Sequence, residues 1–444
     1  MSKALNQLEQ KTAVELLEII RNIEKNFDGV TEFIHLHYLL DPNQKIKKIG
    51  QNYSRLQRKT KFHDYYETIA FFNELSQEVI SPLKDLSSVS PQEVIKILER
   101  MIDQFETLFE NKDDSSGCAM DFLYECFSVL GETWNHVYVN DRNTLPEKVA
   151  QYYFHQGYIG MAVFSYFKLP LGKDGLSALE QPLQKDHKAL LHVIELQNDP
   201  DKYKKVITSL DVINTEWLLT LAELFIHHWR YAEAITTLKE ISETRDDQYY
   251  KKRQELLIHS LTEEGKTPQV QEERWLAFEK TLDATYYKDF LKNISITERE
   301  TYRLKALEIS EKKSFIYRWS FLEDIGEYNE LSKIILDNLN KFDPKVYVKR
   351  LRDTSKNLAS NGYFLVASLM RRMLVDNVLS ESASRYYNYA VSDLKLSLEF
   401  GKKVINWENF MNNQTYIKKL KNEHKRKVAF WGLVNKSKLP IATN

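Results

Sequence analysis

Apolar residues recur at spacings of three and four along almost the whole of this 444-residue chain, the spacing that lays them on one face of an α-helix. The clearest case follows Ser90-Pro91-Gln92-Glu93. There a capping box with proline at the first helical position precedes Val94, Leu98, Met101, Phe105 and Leu108. From Phe364 to Leu379 the apolar residues (Phe364, Leu365, Ala367, Leu369, Met370, Met373, Leu374, Val378) surround most of the circumference. That pattern predicts a helix of an inner layer, buried between neighbours. Similar runs cover 11–25, 65–80, 118–130, 213–228, 230–242, 250–262 and 381–399. Turns of two to six residues separate the runs, and no alternating Val/Ile/Thr segment bounded by Gly or Asn predicts a strand. The expectation is about twenty helices.

A weaker order lies above the helices. Trp229-Arg230-Tyr231-Ala232-Glu233-Ala234, Gly326-Glu327-Tyr328-Asn329-Glu330-Leu331 and Asn361-Gly362-Tyr363 with Ala367 each read as the turn and second-helix start of a tetratricopeptide-type hairpin. The tyrosines fall 97 and 35 residues apart, near multiples of the ~34-residue period, and Gly265 sits close to the missing step. Antiparallel helix stacking without a period accounts for the same residues. The first half has no comparable period. The expected organisation is a helical domain over 1–199, a tetratricopeptide-like array over 200–410, and a basic capping helix and tail over 411–444, with a soft boundary near Asn198, Asp199 and Pro200.

Composition sharpens the helical reading. Glycine and proline together supply 23 of the 444 residues, less than half of the ~12% in average usage. The formal net charge of −1 provides no global field toward nucleic acid or an anionic membrane, so any such preference must be local. Cys118 and Cys126 sit roughly 12 Å apart along one helix, too far for a disulfide. They read as free thiols of a reducing compartment. No apolar signal core and no apolar run of ~18 residues is present, so a cytoplasmic protein without membrane attachment is expected.

Candidate chemistry is sparse. Asn111-Lys112-Asp113-Asp114-Ser115-Ser116-Gly117 resembles a calcium loop, but its glycine is seventh and Phe122 stands where the bidentate glutamate belongs. An Asx turn capping the next helix explains the same residues. His35 and His37 would face one way only on a strand, and neither His227-His228 nor the His187, His192 pair has metal-ligand spacing. No nucleophile elbow, phosphate loop or dinucleotide fingerprint occurs. The sequence therefore predicts no catalytic residue, no metal and no cofactor.

Two basic stretches remain. Between Asp41 and Asp64 no acid interrupts Lys45, Lys47, Lys48, Arg55, Arg58, Lys59 and Lys61, with Tyr53 among them. From Lys418 to Lys438 eight Lys/Arg, Lys418, Lys419, Lys425, Arg426 and Lys427 included, face one acid, Glu423. Tyr416, Leu420, His424, Lys427 and Trp431 are spaced four, four, three and four, so one helical face presents aromatic, apolar and cationic groups together. Such a strip either contacts the phosphates and bases of nucleic acid or docks as a polar-faced cap on the array; the two uses are compatible.

Several separated segments resemble a bacterial all-helical family catalogued only as a domain of unknown function. These are Asp113-Asp114-Ser115-Ser116-Gly117, Arg274-Trp275-Leu276-Ala277-Phe278-Glu279-Lys280-Thr281-Leu282, Ala367 through Arg372 and Asp376 to Tyr387 and Ala390, and His424-Lys425-Arg426-Lys427-Val428-Ala429-Phe430-Trp431. Asn361-Gly362-Tyr363 departs from the His-Pro turn expected there. The resemblance implies a helical fold in a bacterial cytoplasm and supplies no catalytic residues. Arg372, Asp376 and Tyr387 would be either a binding site or a buried network, with Arg–Asp pairing inside a helix hairpin as the preferred form. The resulting expectation is an all-α solenoid acting as a scaffold or adaptor for a protein partner. The alternative is a nucleic-acid-associated subunit that uses both basic strips.

Overall fold

The computed structural model describes residues 11–27, 30–34, 39–155, 157–241, 247–339, 341, 343–437 and 439; the His35 and His37 pair lies outside them. The fold is all-helical and solenoid-like, with helices packed in adjacent pairs and no strand among the described residues. An isolated bridge joins His63 to Lys112. Contacts divide the chain into two compact units, Met1–Tyr249 and Tyr250–Asn444.

In the first unit, α1 (Pro42–Gln57) starts at Asp41, whose side chain accepts from Gln44 N while Gln44 reaches back to Asp41 N. This is the reciprocal capping box. Helix α2 (Tyr65–Leu75) begins likewise at Asp64 with Glu67. It runs on through a π-helical turn, Ser76–Ile80, into Ser81–Leu86. Pro82, which has no N–H to donate to the preceding turn, explains the local widening. Helix α3 (Pro91–Asp103) has proline at its start as expected, but Ser90 makes no side-chain cap. The predicted capping box is thereby corrected: Ser90 N already donates to Leu86 O, and Glu93 pairs with Lys96 instead.

Helix α3 packs on α4 (Cys118–Trp134), which in turn packs on α5 (Ala162–Ala178). The α4–α5 contact brings backbone against backbone. A Cβ built on Gly131 would lie 2.2 Å from Tyr166 O. Gly131→Ala should therefore destabilise the protein by about 1–3 kcal/mol, because a carbonyl in a packed helix cannot step aside. Gly50→Ala, where nothing lies within 4 Å of the added methyl, should be neutral or stabilising by about 0.5–1 kcal/mol through helix propensity. Thermal unfolding of the two variants tests the opposite signs.

One helix-to-helix turn recurs at four of the positions singled out in the sequence. It joins α6 (Thr215–His227) to α7 (Tyr231–Glu240), α8 (Asp247–Glu263) to α9 (Thr267–Thr281), α10 (Phe315–Ile325) to α11 (Tyr328–Asn338), and α12 (Val348–Ser360) to α13 (Phe364–Ser380). Trp229, Gly265, Gly326 and Gly362 take the left-handed conformation, with φ of 56°, 69°, 78° and 89°. In each turn the next residue's N–H donates 2.9 Å back to a carbonyl five residues earlier: Arg230 to Phe225, Lys266 to Leu261, Glu327 to Leu322, Tyr363 to Leu358. This is the Schellman closure. Trp229 occupies the left-handed site without glycine's freedom and points its ring to solvent, 80% exposed.

Helix α13 is buried around most of its girth (Val366 to Arg372, then Leu374, Val375 and Leu379). It packs between α12 and α14 (Tyr387–Gly401), the inner-layer position its pattern predicts. Two core clusters meet along it. Val366, Ala367, Met370 and Leu374 join Trp319, Phe321, Leu322, Leu351 and Leu358. Val375 and Leu379 join Tyr387, Leu394, Tyr416, Leu420, Phe430 and Val434. The last four of these lie on α15 (Asn413–His424) or α16 (Val428–Lys436), the two helices that close the unit's end.

Candidate functional site

The N-terminal basic stretch is neutralised over part of its length. Arg55 pairs with Glu74 at 3.0 Å and with Glu78 at 2.5 Å, and Lys59 pairs with Glu74 at 2.6 Å. Both acids lie beyond the acid-free interval, across the α1–α2 packing. Tyr53 is fully buried and donates its hydroxyl to Gln104, so it presents no ring to a ligand. Lys47, Lys48 and Arg58 are exposed and Lys45 half-buried on the outer side of α1.

At the other end the expected continuous face is corrected. The helix breaks between His424 and Val428, because Lys427 N turns back to His424 O. Tyr416 and Leu420 on α15 and Phe430 on α16 are buried in the second cluster. Trp431 is half-buried and donates Nε1 to His424 O at 3.0 Å. The aromatic and apolar members thus hold the ends of the break, and the cations lie in it. Lys418 is exposed on α15, while Lys419 reaches Asp376 at 3.6 Å and Glu423 at 3.9 Å.

A cleft of about 880 Å³ opens at this break, lined by Asn422 to Ala429 on one side and by Leu379, Ser380, Ser382, Ser384 and Tyr387 on the other. Lys427 Nζ crosses it to Ser382 Oγ at 2.7 Å. Lys425 and Arg426 are exposed and make no ion pair among the described residues. The serines were not picked out from the sequence, although their spacing in Ser380-Glu381-Ser382-Ala383-Ser384, right after an apolar helix, was a usable signal.

Arg372, Asp376 and Tyr387 do not form one cluster. Tyr387 belongs to the cleft wall and meets Phe430 edge-on at 5.7 Å. Arg372 lies between the rings of Trp407 and Tyr416, 4.4 Å from each centroid. It donates to Met411 O and, at 2.9 Å, to Asn413 Oδ1. It makes no ion pair with Asp376, which instead accepts from Tyr416 Oη at 2.7 Å. Burial pulls the Arg372 guanidinium down to about 10. Burial, with the Asp376 carboxylate beside it, pushes the Tyr416 phenol up. Aromatic faces and carbonyl oxygens take the place of a counter-ion around this cation.

The buried Arg–Asp pair exists one residue earlier. Arg371 Nη1 and Asp393 Oδ1 are 2.5 Å apart with both side chains 3% exposed. Arg352 approaches Asp393 through Nη2 at 2.7 Å and through Nε at 3.1 Å. Arg371 also donates to Ser355 Oγ and Arg352 O. The triad therefore ties α12, α13 and α14 together. Two adjacent arginines in an otherwise apolar helix marked the place, but not which of them would find the carboxylate.

Elsewhere the local readings resolve into ordinary contacts. Asp113 accepts from Ser115 N and Asp114 from Ala119 N, with Gly117 left-handed at the start of α4. His228 Nε2 lies 2.8 Å from Asn198 O, and His192 beside Glu195. Cys118 and Cys126 are free thiols. Among the described residues no helix is long and apolar enough to cross a membrane.

No curated protein and no solved structure is significantly similar to the chain. Residues 186–433, which include the four left-handed turns, the arginine triad and the cation-lined cleft, match a family of unknown function, DUF6880. The chain therefore belongs to that family.

Proposed function

We propose that this chain is a non-catalytic helical-repeat scaffold that binds a protein partner. The carrying observation is the register of the four left-handed turns. Four residues before each stands a buried apolar side chain, Phe225, Leu261, Leu322 or Leu358, and five residues after stands another, Ala234, Val270, Leu331 or Ala367. Trp229 and Gly265, and again Gly326 and Gly362, are 36 residues apart, close to the ~34 of a tetratricopeptide unit. Hairpins that bury their inner faces against neighbours leave an extended outer surface for peptides or partner domains. The tetratricopeptide-like reading of the C-terminal half is part of the same proposal.

Purification of the tagged chain from its native cells, with and without nuclease, tests this. A protein recovered in fixed ratio under both conditions is the expected result. Absence of any stoichiometric protein, or loss of all partners with nuclease, overturns the reading. The second outcome would favour a nucleic-acid-associated subunit, for which the cluster Lys425, Arg426, Lys427 is the favourable observation and the consumption of Arg55 and Lys59 in ion pairs the unfavourable one.

A further inference from the structure

We propose that the cleft between the α13–α14 turn and the α15–α16 break binds a phosphate-bearing ligand of about mononucleotide size. The site does not depend on the partner surface, and either can fail alone.

The first support is charge. Lys425, Arg426 and Lys427 are consecutive and line one wall. The one acid on that wall, Glu423, lies 3.9 Å from Lys419, which holds part of its charge outside the cleft. Three adjacent cations repel one another, and a solvated loop would spread them apart. Here the backbone that carries them is pinned on both sides. Leu420 is fully buried before it and Phe430 after it, Trp431 Nε1 holds His424 O, and Lys427 Nζ is drawn across to Ser382. Cations held in a fixed array without matching carboxylates are preorganised for an anion.

The second support is the chemistry of the donors. Ser382 and Ser384 face the cations across the cleft, adding hydroxyl donors to ammonium and guanidinium groups, while the Ser380 hydroxyl is already donated to Asn377 O. That donor set exceeds what the two oxygens of one carboxylate can accept; it matches a phosphoryl group, whose several oxygens take charge-assisted bonds from Lys and planar, two-pronged bonds from Arg. The third support is size. About 880 Å³ falls in the range of small-molecule sites and far exceeds a lone phosphate. Val428 and Ala429, both exposed, supply an apolar lining for the remainder of the ligand. A free nucleotide and the terminal nucleotide of a single strand share this chemistry.

The test is calorimetric titration of the full chain at low salt with adenosine triphosphate, inorganic phosphate and a short single-stranded oligoribonucleotide. Lys425→Glu with Arg426→Glu removes two exposed cations of the wall. Lys395→Glu with Lys402→Glu makes the same change in net charge at exposed positions outside the cleft. Binding of the triphosphate or the oligonucleotide is expected, weakened about ten-fold or more in the first double variant and within about two-fold of the parent in the second. The salt dependence of the first should also be shallower by roughly one to two in log–log slope. Triphosphate binding at least as tight as that of the oligonucleotide identifies a free-nucleotide site; tighter oligonucleotide binding identifies a strand terminus. No binding of any probe at about millimolar concentration, or equal weakening in both double variants, overturns the proposal.

Discussion

Asp393→Ala should lower the free energy of unfolding by about 3–5 kcal/mol, the cost of stranding a buried charge when its partner is removed. Arg371 is the stranded group. Its side chain is 3% exposed, and its remaining partners are Ser355 Oγ and Arg352 O, both neutral. Arg352 is less constrained, because its side chain is 29% exposed and can turn toward water. The loss should therefore be specific to Arg371. Converting the pair together, Arg371→Met with Asp393→Leu, should recover most of it, since apolar replacements of similar volume often equal or exceed a buried ion pair in stability. Guanidinium denaturation followed by circular dichroism measures both variants against the parent. A loss below about 1 kcal/mol for Asp393→Ala, or no recovery in the double variant, would show that the triad does not hold α12, α13 and α14 together in the way its geometry implies.

The second large effect is expected at Phe430. Its ring is fully buried and meets Tyr387 at 5.7 Å and Trp431 at 5.1 Å. Phe430→Ala should cost about 3–5 kcal/mol through lost burial and the cavity left behind. The site of the loss matters more than its size. Phe430 and Val434 are the buried residues of α16, so without the ring the helix loses most of its hold on the cluster. Val428 to Lys436 should then exchange their amide hydrogens much faster, while the α12–α13 hairpin stays protected. Because the same anchor pins the cation-bearing segment, this variant should also lose phosphate-ligand binding with all three cations still present. Unchanged exchange in α16 would mean that other contacts position the cleft wall.

The positions of both residues were legible in the chain; their partners were not. Phe430 lies in the terminal aromatic pair, and the adjacent arginines of α13 stand out against apolar neighbours. Nothing local distinguished Arg371 from Arg372. One residue along a helix rotates a side chain by about 100° around the axis. That rotation aims Arg371 at α14 and Arg372 at Trp407 and Tyr416. The N-terminal basic stretch teaches the same lesson. Its acid-free interval is a true feature of the sequence, but Glu74 and Glu78 return to Arg55 from the next helix and cancel part of the charge.

By itself the sequence determined what depends on near neighbours. Scarce breakers and the three–four apolar spacing produce an all-helical chain, the residues around 229, 265, 326 and 362 mark helix-to-helix turns, and the apolar girth of α13 predicts its burial. Backbone conformation and helix periodicity are set within a few residues, so they can be read along the chain. Only the tertiary structure decided which charges are cancelled and which stay free. It placed Asp393 on Arg371, and it broke the terminal helix so that Lys425, Arg426 and Lys427 face serines more than forty residues earlier. Electrostatic partnership depends on distance and burial in three dimensions, and sequence separation carries little information about either.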